Sequence, residues 1–136
     1  MEALLGIDYG EANIGLAYGR EGLVTPIRVI SGKNEHTAIS TILRVVEEYD
    51  IDRFILGLPL TLGDRETPKS QQVRRFARLL KSKSKLPLDF VSEFHTSKDA
   101  AGLMLSSGVS QKGRRIDDHY AASLILKRYF RQKSED

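Results

Sequence analysis

The sequence predicts an α/β domain, a mixed five-stranded sheet with helices on both faces. Three observations carry this. Short apolar runs open the chain in quick succession, with turn formers between them. A later run, "RFILGLP", is apolar without alternation, as expected of a parallel strand covered on both faces. Segments with apolar residues at helical spacing then separate the later strands. The order is three strands, helix, strand, helix, strand, helix and a terminal helix. Strands joined through helices imply parallel neighbours beside an antiparallel opening.

Residues 4–7 and 14–18 are the first two strands, divided by the turn-forming "DYGEAN". "LVTPIRVI" is the third, and Pro26 places it at an edge or a bulge because proline cannot donate a ladder hydrogen bond. From Glu35 to Tyr49, Ala38, Ile39, Ile42, Val45 and Val46 recur at spacings that mark an amphipathic helix. "RFILGLP" is the fourth strand, followed by a polar loop over 63–68. A second helix over 69–81 turns Val73, Phe76, Ala77 and Leu80 inward. "LDFVSEF" is the fifth strand. Thr96 or Ser97 is a suitable N-cap for a helix through Leu105, with Gly108 as its stop. The last helix spans 117–131, with Ala121, Ala122, Ile125, Leu126 and Tyr129 at helical spacing and Asp117 and Asp118 in its first turn, where negative charge suits the dipole.

The 136 residues fit one domain, 1–136, with enough chain to bury a core unaided. At 40% hydrophobic and 29% charged residues, a wholly disordered chain is excluded. The absence of cysteine excludes disulfides and thiolate zinc sites. With only three histidines, a metal must be held mainly by oxygen, which favours hard cations such as Mg²⁺ or Mn²⁺. No apolar stretch reaches the ~18 residues that cross a bilayer, and the acidic Glu2 is unlike a signal-peptide start, so the expected location is the cytoplasm and no membrane is a partner. The net charge is only +3, but Lys and Arg gather in "KSQQVRRFARLLKSKSK" and "QKGRR". Such clusters suit a polyanion; the alternative is that they only solvate exposed helix faces.

Ligands of open α/β sheets bind outside the carboxyl ends of the parallel strands. Asp8 ends the first strand, Glu93 lies near the end of the last, and Asp118 opens the terminal helix. Singly, each has a plainer reading: a turn former, a solvated strand residue, a helix-start charge. Brought together, three carboxylates repel, and a divalent cation is the economical way to hold them at neutral pH.

The stretches "GIDYGEANIGLAYG", "LGLPL", "SEFHTS" and "IDDHYAASLILKRYF", taken in order over nearly the whole chain, resemble the YqgF/RuvX family of ribonuclease-H-like nucleases, related in fold to the RuvC Holliday-junction resolvases. By position, Asp8 takes the place of the family's first-strand aspartate, Glu93 that of the glutamate in its Asp-Glu-Arg-Leu-Thr stretch, and Asp118 that of the terminal-helix aspartate. Asp117 is the adjacent alternative. The chain departs from the pattern in reading Ser92-Glu93-Phe94 for Asp-Glu-Arg, which removes an acid and an arginine, and in "TLGDRET" after "GLPL", where Asp64 or Glu66 is the less favoured candidate for a supporting place near the site.

The resemblance implies metal-assisted hydrolysis of a phosphodiester, with Asp8, Glu93 and Asp118 as catalytic and metal-holding residues and Mg²⁺ or Mn²⁺ as cofactor. Two ions roughly 4 Å apart are expected, with Asp8 bridging them. Lys69, Arg74, Arg75, Lys112, Arg114 and Arg115 are the expected contacts to the nucleic-acid backbone, giving affinity without sequence readout. His95 and His119 flank the acids, and a structural or solvated role for them is favoured. The implied role is 5′-end maturation of pre-16S ribosomal RNA. The alternatives are Holliday-junction resolution by a two-fold homodimer, and a non-catalytic nucleic-acid-binding module of the same fold. A monomer or a homodimer is compatible with the sequence. An actin-like ATPase would need a second such domain, which 136 residues do not supply.

Overall fold

The apolar runs at the start of the chain fold into a meander. In the computed structural model, β1 (Leu4–Asp8) pairs antiparallel with β2 (Asn13–Arg20), and β2 turns through Glu21 and Gly22, both with positive φ, into β3 (Leu23–Ser31). The structure describes residues 1–61, 63–93 and 113–135, except the side chains of 113–119 and 135. The remaining described elements are α1 (Glu35–Tyr49), β4 (Arg53–Leu58), α2 (Pro68–Ser84), β5 (Leu88–Ser92) and α3 (Gly113–Glu135). The helix expected between Thr96 and Leu105 lies outside the described residues.

The five strands form one sheet in the order β3-β2-β1-β4-β5, with β1, β4 and β5 parallel. Pro26 does sit on an edge strand, and the β2–β3 register shifts between Leu16 and Ala17, opposite Pro26 and Arg28, so the proline falls at an irregularity. Alternation sorts the strands between two cores. Leu5, Ile7, Phe54 and Leu56 pack with Ile39 and Ile42 of α1 and Phe76 and Leu80 of α2. On the other face Leu4, Ala17, Ile55 and Val91 pack with Ala122, Ile125, Leu126 and Tyr129 of α3. Burial of this kind stabilises by about 25 cal/mol per Å² of apolar surface, which is why the helices cover both faces.

Local signals fix the helix ends. Asn34 caps α1 by accepting from the Thr37 N–H at 3.0 Å, and Asp50, left-handed at φ 53°, closes it. Thr67 and Ser70 form a reciprocal capping box on α2, with Pro68 in its first turn and Lys85 left-handed at φ 61° beyond its end.

Two helices are longer than their apolar spacing predicts. The polar last turn of α2 runs to Ser84. More consequentially, α3 begins at Gly113, so Arg114 and Arg115 are helical rather than in a loop, and Asp117 and Asp118 lie beyond the first turn, which carries no acid. Arginine is a good helix former, and a polar first turn has no apolar stripe to reveal it, so periodicity finds this helix only where its buried face begins.

The close approach of α3 sets its direction. A Cβ on Gly6 would lie 2.6 Å from Leu126 Cγ and 3.0 Å from the Ala122 carbonyl oxygen. Gly19, which pairs with Leu4, lies instead against Leu126 and Phe130. Moving along β1 from Leu4 to Gly6 therefore moves backward along α3, and the amino-terminal turns of α3 head for the carboxyl end of β1.

Candidate active site

Asp8 is the last residue of β1, on the same face as Leu4 and Gly6, the face that α3 covers. Tyr9 is held on the opposite side, its ring 4.5 Å from that of Phe76 on α2, which anchors the chain where it leaves the sheet. Burial, followed by the charge of Glu35, raises the Tyr9 pKa above its ordinary value.

Glu93 follows β5 and shares the face of Val91. Its N–H donates to the Leu58 carbonyl at 2.9 Å, extending the parallel ladder by one residue beyond the strand. Its side chain is buried, only 8% of the residue being exposed, and it is hydrogen-bonded to Asp8. Burial first, then the bond to Asp8 and the Asp8 charge, push the Glu93 pKa up to about 9, against an opposing pull from Lys69. A buried Glu93 therefore favours its protonated form beside Asp8, because a second anion placed there away from water is costly.

Between them runs β4, and there the side chain is missing. Gly57 lies beneath the Glu93 carboxyl, on the face of Ile55. Sequence reasoning did not single out this glycine; the available signal was a glycine inside an otherwise apolar buried strand, which marks a close approach.

The third expected acid, Asp118, lies on α3 one turn before Ala122, the residue that sits over Gly6. With ~5.4 Å per helical turn and ~3.3 Å per strand residue, the backbone of that turn extends toward the level of Asp8. The side chains of Asp117, Asp118, Arg114, Arg115 and His119, together with Lys112 and His95, lie outside what is described. Among the described residues no group of three potential ligands gathers; Asp8 and Glu93 are the two that meet.

The basic residues separate. Lys69, in the first turn of α2, is close enough for its charge to lower the Glu93 pKa. Arg74 is occupied: its Nε and Nη2 each donate to Glu66 at 2.8 Å, and the guanidinium lies 5.2 Å from the centre of the Phe90 ring. Arg74 and then Ser70, by hydrogen bonding, hold the Glu66 carboxyl at about 2. Glu66 thus ties down the loop after β4. Arg75 is mostly exposed and pairs with Glu35 at 3.3 Å, alongside Tyr9. A cavity of about 1200 Å³ lies at the amino end of the sheet among Leu4, Arg53, Asp89 and Tyr129, and neither Asp8 nor Glu93 lines it.

Comparison with known proteins adds the following. The model of the RuvX family, described as Holliday junction resolvase, matches residues 2–132. A protein of Dictyoglomus thermophilum is 32% identical, with 98% of each chain covered. One of Ruegeria sp. is 37% identical over 93% of this chain and 82% of its own. Both bear the provisional name pre-16S rRNA nuclease. Among solved structures, T. thermophilus RuvC in complex with a Holliday junction substrate superposes with a TM-score of 0.63 at 14% identity over 98% of both chains. The yeast mitochondrial Holliday junction resolvase gives 0.56 at 15% identity, over 97% of this chain and 79% of its own. At these identities the solved structures establish a shared fold, the ribonuclease-H-like sheet of the resolvases.

Proposed function

The chain belongs to the RuvX family of nucleases, and from that premise we propose that it hydrolyses phosphodiester bonds at a divalent-cation site built on Asp8, Glu93 and Asp118, with the 5′ end of pre-16S ribosomal RNA as substrate. The observation that carries the reading is the hydrogen-bonded contact of the buried Glu93 with Asp8. Oxygen donors alone, crowded enough to retain a proton, fit a hard cation such as Mg²⁺ or Mn²⁺. Such a cation, when bound, supplies charge neutralisation and an acidified water.

The residues of the chain do the rest. Asp8 and Glu93, fixed at the ends of parallel strands, present their oxygens from a rigid sheet. Asp118 supplies a third carboxylate from α3. Lys69 places positive charge beside Glu93, suited to a substrate phosphate. Lys112, Arg114 and Arg115 extend that contact along the backbone of the substrate. Arg74 and Arg75 are each paired with an acid of the chain, Glu66 and Glu35, and would have to share or exchange that partner to touch a phosphate. The chain acts as one nuclease domain in the cytoplasm; no helix among the described residues is long and apolar enough to cross a membrane.

Junction cleavage is the second reading, favoured by the description of the matching family. Labelled precursor RNA, single-stranded DNA and a four-way junction, each incubated with Mg²⁺, Mn²⁺ or chelator, separate the two. Metal-dependent cutting of the RNA supports the first reading. Paired symmetric nicks in the junction, made by a dimer, support the second. Failure to cut any of them with either metal refutes both.

A further inference from the structure

We infer that Gly57 is a positioning residue of this site: its missing side chain is the space in which the Glu93 carboxylate lies against Asp8. The inference rests on the cation-binding reading of these two acids, and it adds a residue to which no role has been given.

The strand order puts β4 between β1 and β5, so Asp8 and Glu93 meet only by reaching across it. Ile55 and Gly57 point to the face that α3 covers, as do Leu4 and Asp8 on β1 and Val91 and Glu93 on the β5 side. At Ile55 that space is filled by a side chain packed beneath α3. Two residues on it is empty, and Glu93 occupies it. A Cβ at Gly57 would stand 2.5 Å from both Cγ and Cδ of Glu93 and 2.6 Å from Oε1. The three nearest atoms all belong to that one side chain. At Gly6, by contrast, the Ala122 carbonyl oxygen is among the three nearest atoms.

A glycine inside a buried strand weakens the strand, so alanine would be the better residue there if only the fold mattered. Contact with Cγ, near the root of the side chain, cannot be relieved by turning the carboxylate alone. Glu93 must leave its rotamer, and its carboxyl must leave Asp8.

The test is Gly57→Ala, examined metal-free by crystallography and then titrated with Mn²⁺. We expect Glu93 turned away from Asp8 in the crystal and Mn²⁺ affinity reduced by about 10–100-fold, the usual cost of losing a group that orients a ligand. Glu93 still against Asp8, or native Mn²⁺ affinity in a variant whose parent binds Mn²⁺, overturns the inference. Should the parent bind no Mn²⁺, the cation reading falls, and the metal-free crystal structure alone decides the role of Gly57. Should Gly57→Ala fail to fold, Glu93→Ala is added. Recovery of folding in the double variant shows that the space belongs to Glu93, and continued failure shows that it serves something else.

Discussion

Replacing Glu93 with glutamine should stabilise the metal-free protein, by an amount that grows with pH. In the fold Glu93 titrates at about 9, against 4.5 for an unhindered glutamate, chiefly because it is buried and then because Asp8 is beside it. A carboxyl whose folded pKa is raised keeps its proton in the fold and releases it on unfolding. The stability tied to that proton is complete below pH 4.5 and is lost progressively as pH rises toward 9. Each pH unit inside this window costs about 1.4 kcal/mol, so at pH 7 the fold has lost about 3 kcal/mol, an upper bound because Glu93 titrates together with Asp8. Glutamine copies the protonated acid: it has the same shape, its amide can donate to Asp8, and it never ionises. Melting curves of both proteins in chelator from pH 4.5 to 8.5 should coincide at the acid end. They should diverge to about 10 °C in favour of Glu93→Gln near neutrality. Parallel curves across the range would refute a Glu93 carboxyl held protonated by burial beside Asp8.

Three further outcomes follow from the same geometry. Asp118→Asn should abolish most cleavage while Asp117→Asn preserves it; because α3 starts at Gly113, Asp117 is past the first turn, and its loss should cost under about 0.3 kcal/mol in a melting assay. Lys69→Ala should weaken nucleic-acid binding and reduce the salt slope by about one charge, while Arg74→Ala, whose guanidinium is engaged by Glu66, should leave the slope unchanged in the same titration. Thr67→Ala removes both the cap on the Ser70 N–H and the 3.1 Å bond to the Pro59 carbonyl, and should cost about 1 kcal/mol by denaturant unfolding.

Much of this architecture was legible because burial leaves a period in the sequence. The opening strands, the edge position of Pro26 and the inner faces of α1 and α2 follow from apolar spacing and from the hydrogen bond proline cannot make. What lacks a period was missed. The first turn of α3 and the last turn of α2 are polar, so their extent depends on backbone propensity that apolar spacing does not register. The meeting of Asp8 with Glu93 was readable as two acids at the carboxyl ends of parallel strands. The emptiness at Gly57 that permits it was not, because it depends on which face three separate strands turn to α3. Nor does anything in "TLGDRETPKSQQVRRF" say that Glu66, eight residues before Arg74, will accept from its Nε and Nη2.

If Asp8 and Glu93 hold a cation for phosphodiester cleavage, cutting must depend on both the metal and Asp8. The decisive assay is cleavage of 5′-extended pre-16S RNA with native and Asp8→Asn protein, prepared identically and shown by melting to be folded. The native protein should cut in Mg²⁺ or Mn²⁺ and not in chelator, and Asp8→Asn should not cut under any condition. Undiminished cutting by the folded Asp8→Asn protein, or by the native protein in chelator, would contradict that role for the pair.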